Sequence, residues 1–226
     1  MQSNFNAALK ITLAYEGGWS DNPKAPGGAT MKGITLATYR RFFPAATKGQ
    51  LRNISAENVA KIYRQDYWQA VNGDTLAAGV DLAAFDAGVN AGVARAKKWL
   101  LASVGGTDDQ TVKKLCAKRL GFVQSLKIWK TFGKGWGRRI ADIEAIGVAW
   151  ALAAVMPPAM LKARLLQESR AARGKADTNA LGATSVGAVT SAGGGDAVVN
   201  PQHLDQISGW VLAGGLLLVV GLVVLL

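Results

Sequence analysis

Glu16 is the residue of this chain best placed by type and spacing to do chemistry. Phe5, Leu9, Thr12 and Leu13 recur at helical spacing, and Glu16 continues the same row. A carboxyl group on the core-facing side of a helix, partly withdrawn from water, is a candidate general acid. The competing reading is a surface glutamate that happens to precede a glycine turn. Other catalytic chemistries are poorly supplied. The sequence holds one histidine, His203, in a polar stretch far from any motif, and one cysteine, Cys116, beside Val112 and Leu115 on an apolar stripe. Ser-His-Asp and Cys-His catalysis are therefore not expected, and neither is a metal site built from several Cys or His. No intrachain disulfide can form.

The elements that must position Glu16 follow from the pattern around it. Gly17-Gly18 is expected to end the first helix with a left-handed or strained backbone. Turn residues come next, Asp21-Asn22-Pro23 and then Ala25-Pro26-Gly27-Gly28, and Pro-Gly at a turn centre suits a compact hairpin. A second helix is expected from Ser55, with Val59, Ile62, Tyr63 and Ala70 inward. A third covers roughly 78–101, with Leu82, Phe85, Val89, Val93 and Leu100 as its stripe. A fourth opens at Thr107 with a capping-box pattern through Gln110, and another follows Gly137 with Ile140, Ile143, Ile146 and Trp150. The apolar run 145–160, ended by Pro157-Pro158, reads as a buried core helix.

Charge and composition divide the chain further. The net charge is +11, and residues 1–168 carry it, with 23 Lys/Arg against 12 Asp/Glu. Nine basic residues and no acid lie between Lys113 and Arg139. Such a domain suits an anionic polymer or a lipid surface, against the plainer reading of a solvated basic face. No nucleic-acid motif is recognisable, and nucleic acid is not expected as a partner. Residues 169–206 turn to Ala, Gly, Ser, Thr and Val and read as a flexible linker. Residues 207–226 are uncharged throughout. At about 1.5 Å per residue they just match a hydrocarbon core of roughly 30 Å, so a single C-terminal transmembrane helix in the bacterial inner membrane is expected. No cleavable signal peptide is expected at the start, so the globular part would stay cytoplasmic until lysis or translocation.

The run EGGWSDNPKAPGGATMKGIT, Glu16–Thr35, resembles the signature of glycoside hydrolase family 108, the lysozyme-like N-acetylmuramidases of phages and bacteria. The similarity continues through IYRQDYWQAVNGDTL, VDLAAFDAGVNAGVARAKKWL and KTFGKGWGRRI. It implies a mainly α, lysozyme-like fold with a small β-hairpin after the catalytic helix. Residues 1–75 would form the catalytic region, and 76–168 a helical peptidoglycan-binding-like region of the same globular unit. It also implies cleavage between N-acetylmuramic acid and N-acetylglucosamine, peptidoglycan strands as partner, no cofactor, and Glu16 as general acid.

Glycoside hydrolysis usually takes a second group, a nucleophile or a base that activates water. The family pattern offers an aspartate nine residues after the glutamate, where this chain has Ala25. Four explanations stand open: Asp21 supplies the charge; Asp86 approaches from its helix; Thr30 holds the water; or no second carboxylate is used, as in a lytic transglycosylase. A peptidoglycan-binding protein whose catalytic site has decayed is a further alternative. Trp19, Tyr67 and Trp68 are candidate sugar platforms or core aromatics. Asn90, on one face with Asp86 at i, i+4, is a candidate for the N-acetyl group or for backbone satisfaction, and Asp86 for a salt bridge with a nearby Arg or Lys.

Overall fold

The computed structural model describes residues 4–22 and 27–183, the last stretch, 171–183, by its backbone alone. It is mainly helical, with one two-stranded hairpin. The chain divides into two units, Met1–Ala151 and Leu152–Leu226.

In the first unit, α1 (Phe5–Leu13) buries Phe5, Ala8, Leu9 and Thr12, close to the expected stripe. Asn4 stands at its N-cap without capping it, because its amide donates instead to Asp81 Oδ2 at 2.8 Å. The other oxygen of Asp81 accepts from the backbone of Gly79 and Leu82, so one buried carboxylate ties the start of α1 to the start of α5 (Val80–Ala91). The end of α1 departs from the expectation. Ala14 stays right-handed, neither Gly17 nor Gly18 takes a left-handed backbone, and Glu16 N–H bonds the Leu13 carbonyl in one further tight turn.

The hairpin pairs β1 (Thr30–Met31) with β2 (Ile34–Thr35), antiparallel, Met31 opposite Ile34. Its loop is Lys32-Gly33, both at positive φ (48° and 74°), the two-residue turn that follows the natural twist of paired strands. The expected hairpin centre lay earlier, at Pro26-Gly27; residues 23–26, Ala25 included, lie outside the described residues. Ser20 exchanges backbone hydrogen bonds with Thr30, which folds the segment after Glu16 onto β1.

Short capped helices follow. Thr35 caps α2 (Leu36–Phe42), and Thr47 with Gln50 forms a full capping box on α3 (Lys48–Arg52). Ser55 caps α4 (Ala56–Tyr63) through Asn58 N–H, as its sequence pattern leads one to expect. One wide π-type turn, Arg64–Trp68, then widens the helix and turns Trp68 fully inward. There it meets Phe5 and Phe85 edge-on, at centroid distances of 5.5 and 5.6 Å, and donates from Nε1 to Asp74.

Helix α5 is buried on every side from Val80 to Gly88, the mark of a central helix. The helix expected over 78–101 is two helices. Gly92, at φ 90°, breaks it, and α6 (Val93–Leu101) turns back along α5. Helix α7 (Asp108–Gln124) starts after Thr107 as expected, but the Thr107 side chain makes no cap bond, so that capping box is not formed. Helix α8 (Trp129–Val155) begins eight residues before Gly137. Val148 and Ala151 are buried in the run 145–160, but Val155 is 71% exposed, and α8 ends there, ahead of Pro157-Pro158.

Helix α8 crosses the start of α5 at a contact only glycines allow. A Cβ on Gly79 would lie 2.0 Å from the Gly147 carbonyl oxygen, and Gly79 has φ 85°. Gly79→Ala therefore meets a clash and a strained backbone together. It is expected to cost more than about 1 kcal/mol, lowering Tm by at least about 2–4 °C; an unchanged thermal melt would show that this crossing is loosely packed.

In the second unit the described part is the last turn of α8 and α9 (Pro158–Ala183), where Arg164 pairs with Glu168 at 2.9 Å. Helix α9 runs into the segment expected as linker. The expected membrane span requires correction. Among the described residues no helix is long and apolar enough to cross a membrane, and 207–226, on which that expectation rested, lies outside them. The single C-terminal span and the inner-membrane placement are withdrawn.

Candidate active site

Glu16 sits just past α1, its side chain 17% exposed, between α8 and the hairpin turn. Oε1 accepts a hydrogen bond from Arg139 Nη1 at 2.9 Å. On the other side is Gly33, where an added Cβ would lie 2.9 Å from Glu16 Oε2 and 2.8 Å from Tyr63 Oη. Tyr63 fixes that turn by donating to the Lys32 carbonyl at 2.7 Å. Burial, and then the charge of Glu16, hold the Tyr63 phenol well above its ordinary value, so it remains a donor. One carboxylate oxygen is thus held by a cation and the other faces bare backbone. Gly33→Ala is expected to displace Glu16 and cut activity roughly 100-fold. Rate measurements that leave this variant at the parental level would remove the turn from the site.

Behind Arg139 lies a buried charge network. Arg139 grips Asp86 through Nε and Nη2, with Nη2 to Oδ1 at 2.7 Å. Arg119 Nη1 donates to Asp86 Oδ2 at 2.7 Å and its Nη2 to Asn90 Oδ1 at 3.0 Å. Asp86 and Arg119 have no exposed surface. Burial alone pushes the Asp86 carboxyl up, but the two guanidiniums and their hydrogen bonds outweigh it and hold it below its ordinary value. Burial likewise works against the Arg139 cation, and Asp86 with Glu16 more than offsets it. Two carboxylates and two guanidiniums balance, which is how so much charge stays inside. Tyr15 adds a strut, with its hydroxyl on Asp142 at 2.8 Å and its ring 5.3 Å from the Arg139 guanidinium carbon.

The other sequence candidates fall in different places. Asp86 and Asn90 do share a face, and what they share is Arg119. Asp86 is sealed from substrate, while Asn90, with its oxygen engaged, is half-buried. Trp68 is a core residue with its ring enclosed. Trp19 and Tyr67 are part-exposed; Trp19 lies under Arg52 at 5.8 Å, and Tyr67 packs beside Tyr63 at 5.4 Å. Asp21, exposed, pairs with Lys48 at 3.0 Å. Thr30 donates its hydroxyl to the Gly28 carbonyl at 3.0 Å. Cys116 is buried, its thiol pushed up to about 12 by that burial and then by Glu144. Arg139, Arg119 and Gly33 were not read from the sequence as site residues, and Tyr63 was read only as an inward-facing one. No group of His, Cys, Asp or Glu suited to a metal occurs among the described residues.

Among the described residues, Glu16 is thus a part-exposed carboxylate held on a buried arginine beside a short hairpin. The family comparison supplies the class. Residues 9–92 match the family model described as Glycosyl hydrolase 108. The solved structure titled "Structure of Brucella abortus SagA" is 34% identical in sequence, with a TM-score of 0.57, covering 66% of this chain and 95% of that one. No curated protein matches the chain. The chain belongs to glycosyl hydrolase family 108, and its class is a glycoside hydrolase acting on the cell wall.

Proposed function

We propose that the chain is a muramidase, hydrolysing the bond between N-acetylmuramic acid and N-acetylglucosamine in peptidoglycan, with Glu16 as general acid. The observation that carries this is the asymmetric hold on the carboxyl group. Oε1 is engaged by Arg139, so Oε2, at the Gly33 turn, is the oxygen that hands its proton to the leaving sugar oxygen. Asp86 is not the second group, because both of its oxygens are taken by guanidinium donors inside the protein. Thr30 is the better candidate to hold the attacking water: it lies in the hairpin that carries Gly33, and its oxygen keeps lone pairs after donating to Gly28. Asp21, in the segment between Glu16 and the hairpin, is the other carboxylate there, its charge shared with Lys48. Trp19 and Tyr67 offer ring faces to the sugars, while Trp68, Asp86 and Asn90 support the site from beneath.

The first test is a gel containing purified peptidoglycan, in which the full chain is expected to leave a cleared band. A folded chain that pellets with peptidoglycan and clears nothing would instead be a binding protein.

A further inference from the structure

Two described residues other than glycine take a left-handed backbone, Lys32 (φ 48°) and Asn72 (φ 60°). Asparagine tolerates that region. Lysine gains nothing from it, and Asn, Asp or Gly is the usual choice at the first position of such a hairpin turn. Lys32 is nonetheless held there. Its carbonyl accepts from the Tyr63 hydroxyl at 2.7 Å, and Tyr63 is itself buried, so the turn is tied to the core. Strain that the surroundings enforce is characteristic of functional positions.

The position adjoins the proposed proton donor. Gly33, the next residue, lies so close to Glu16 that an added Cβ would be 2.9 Å from Oε2. Lys32 is part-exposed, and among the described residues its ammonium has no carboxylate partner. Glu16 takes its cation from Arg139 instead, and Asp21 takes its own from Lys48. A strongly hydrated point charge on a flexible four-carbon stem is therefore left at the edge of the site. Peptidoglycan offers it a counter-charge: muramic acid carries a carboxyl on its lactyl ether, and stem peptides joined through that group carry others. We infer that Lys32 is a substrate-binding residue, pairing with a carboxylate borne by the muramic acid beside the bond cleaved, so that the site prefers acidic glycan to neutral. The inference rests on the muramidase reading for its ligand, and its test reads binding separately from cleavage.

Lys32→Asn is the informative change, because asparagine suits the backbone while the charge is lost; its Tm is expected at or above the parental value. The full chain and this variant, each also carrying Glu16→Gln to suppress cleavage, are titrated calorimetrically with two soluble glycans. One is stripped of peptide and has free lactyl carboxyls; the other bears stem peptides. Each is also supplied with its carboxyls converted to amides. Lys32→Asn is expected to weaken binding of a free-acid glycan about tenfold and to leave the amidated forms unaffected, while Lys32→Arg keeps most of the parental affinity. A loss on the peptide-free glycan assigns the lactyl carboxylate, and a loss confined to the other assigns the stem. Equal affinity of parent and Lys32→Asn for both acids would overturn the proposal. So would an equal loss on acid and amide forms, since Lys32 would then only shape the turn. If Glu16→Gln proves harmless to cleavage while Lys32 still governs the preference for acid, the catalytic reading fails and the binding residue stands.

Discussion

Glu16→Gln is expected to lower glycan cleavage by roughly 10²–10⁴-fold and to leave the fold standing. Glutamine matches glutamate in shape, and its amide oxygen can still accept from Arg139 Nη1, so the clamp geometry survives. In the proposed mechanism what is lost is the proton that Oε2 would deliver to the leaving oxygen, which an amide cannot supply. The variant also leaves one carboxylate facing two guanidiniums, but the side chain is 17% exposed and water can share that charge. The comparison is therefore kcat against Tm: a collapsed rate with a melt within a few degrees of the parent. A rate loss no larger than the fraction unfolded would assign Glu16 to stability alone.

Arg139→Gln is expected to be the most damaging change to stability. It removes the cation that shares Asp86 with Arg119, and breaking a buried pair costs about 3–5 kcal/mol because the remaining charge keeps its desolvation penalty. Arg139→Lys should recover only part of this, since a single ammonium cannot make the forked contact to Asp86 and also reach Glu16. Activity should fall with both, because Glu16 loses its holder. The pH dependence has a definite sign. Asp86 titrates lower in the folded protein than its ordinary 3.8, so its stabilising contribution is present above that value and lost as pH falls through the depressed folded one. Without Arg139 the folded value rises, and the acid-unfolding limb should move to higher pH. Acid titrations followed by circular dichroism would detect it, and superimposable limbs for parent and variant would contradict the network as described.

These two residues also mark where the sequence was legible. Glu16 was proposed from local cues: a helical apolar row, then glycines, inside a recognisable family run. Ser55 as a cap and the presence of a hairpin were local in the same way. Arg139 lies 123 residues from the carboxylate it holds, and nothing in chain spacing reports a pairing at that range. Asp86 and Asn90 were correctly placed on one face, but the residue they share, Arg119, comes from another helix. The break at Gly92 was hidden because apolar residues continue across it, while backbone handedness decides the matter. Lys32-Gly33 was outweighed by the stronger turn residues before it. At Thr107 a good capping pattern made no cap bond, whereas Thr47 and Gln50 made a full one that had gone unread.

The central claim is hydrolysis of peptidoglycan glycan through Glu16. Mass analysis of fragments released from purified sacculi tests it most directly, with the parent and Glu16→Gln run side by side. The parent is predicted to release fragments ending in reducing N-acetylmuramic acid, and Glu16→Gln to release almost none. Fragments ending in 1,6-anhydro sugars, or equal release by the two proteins, would contradict it.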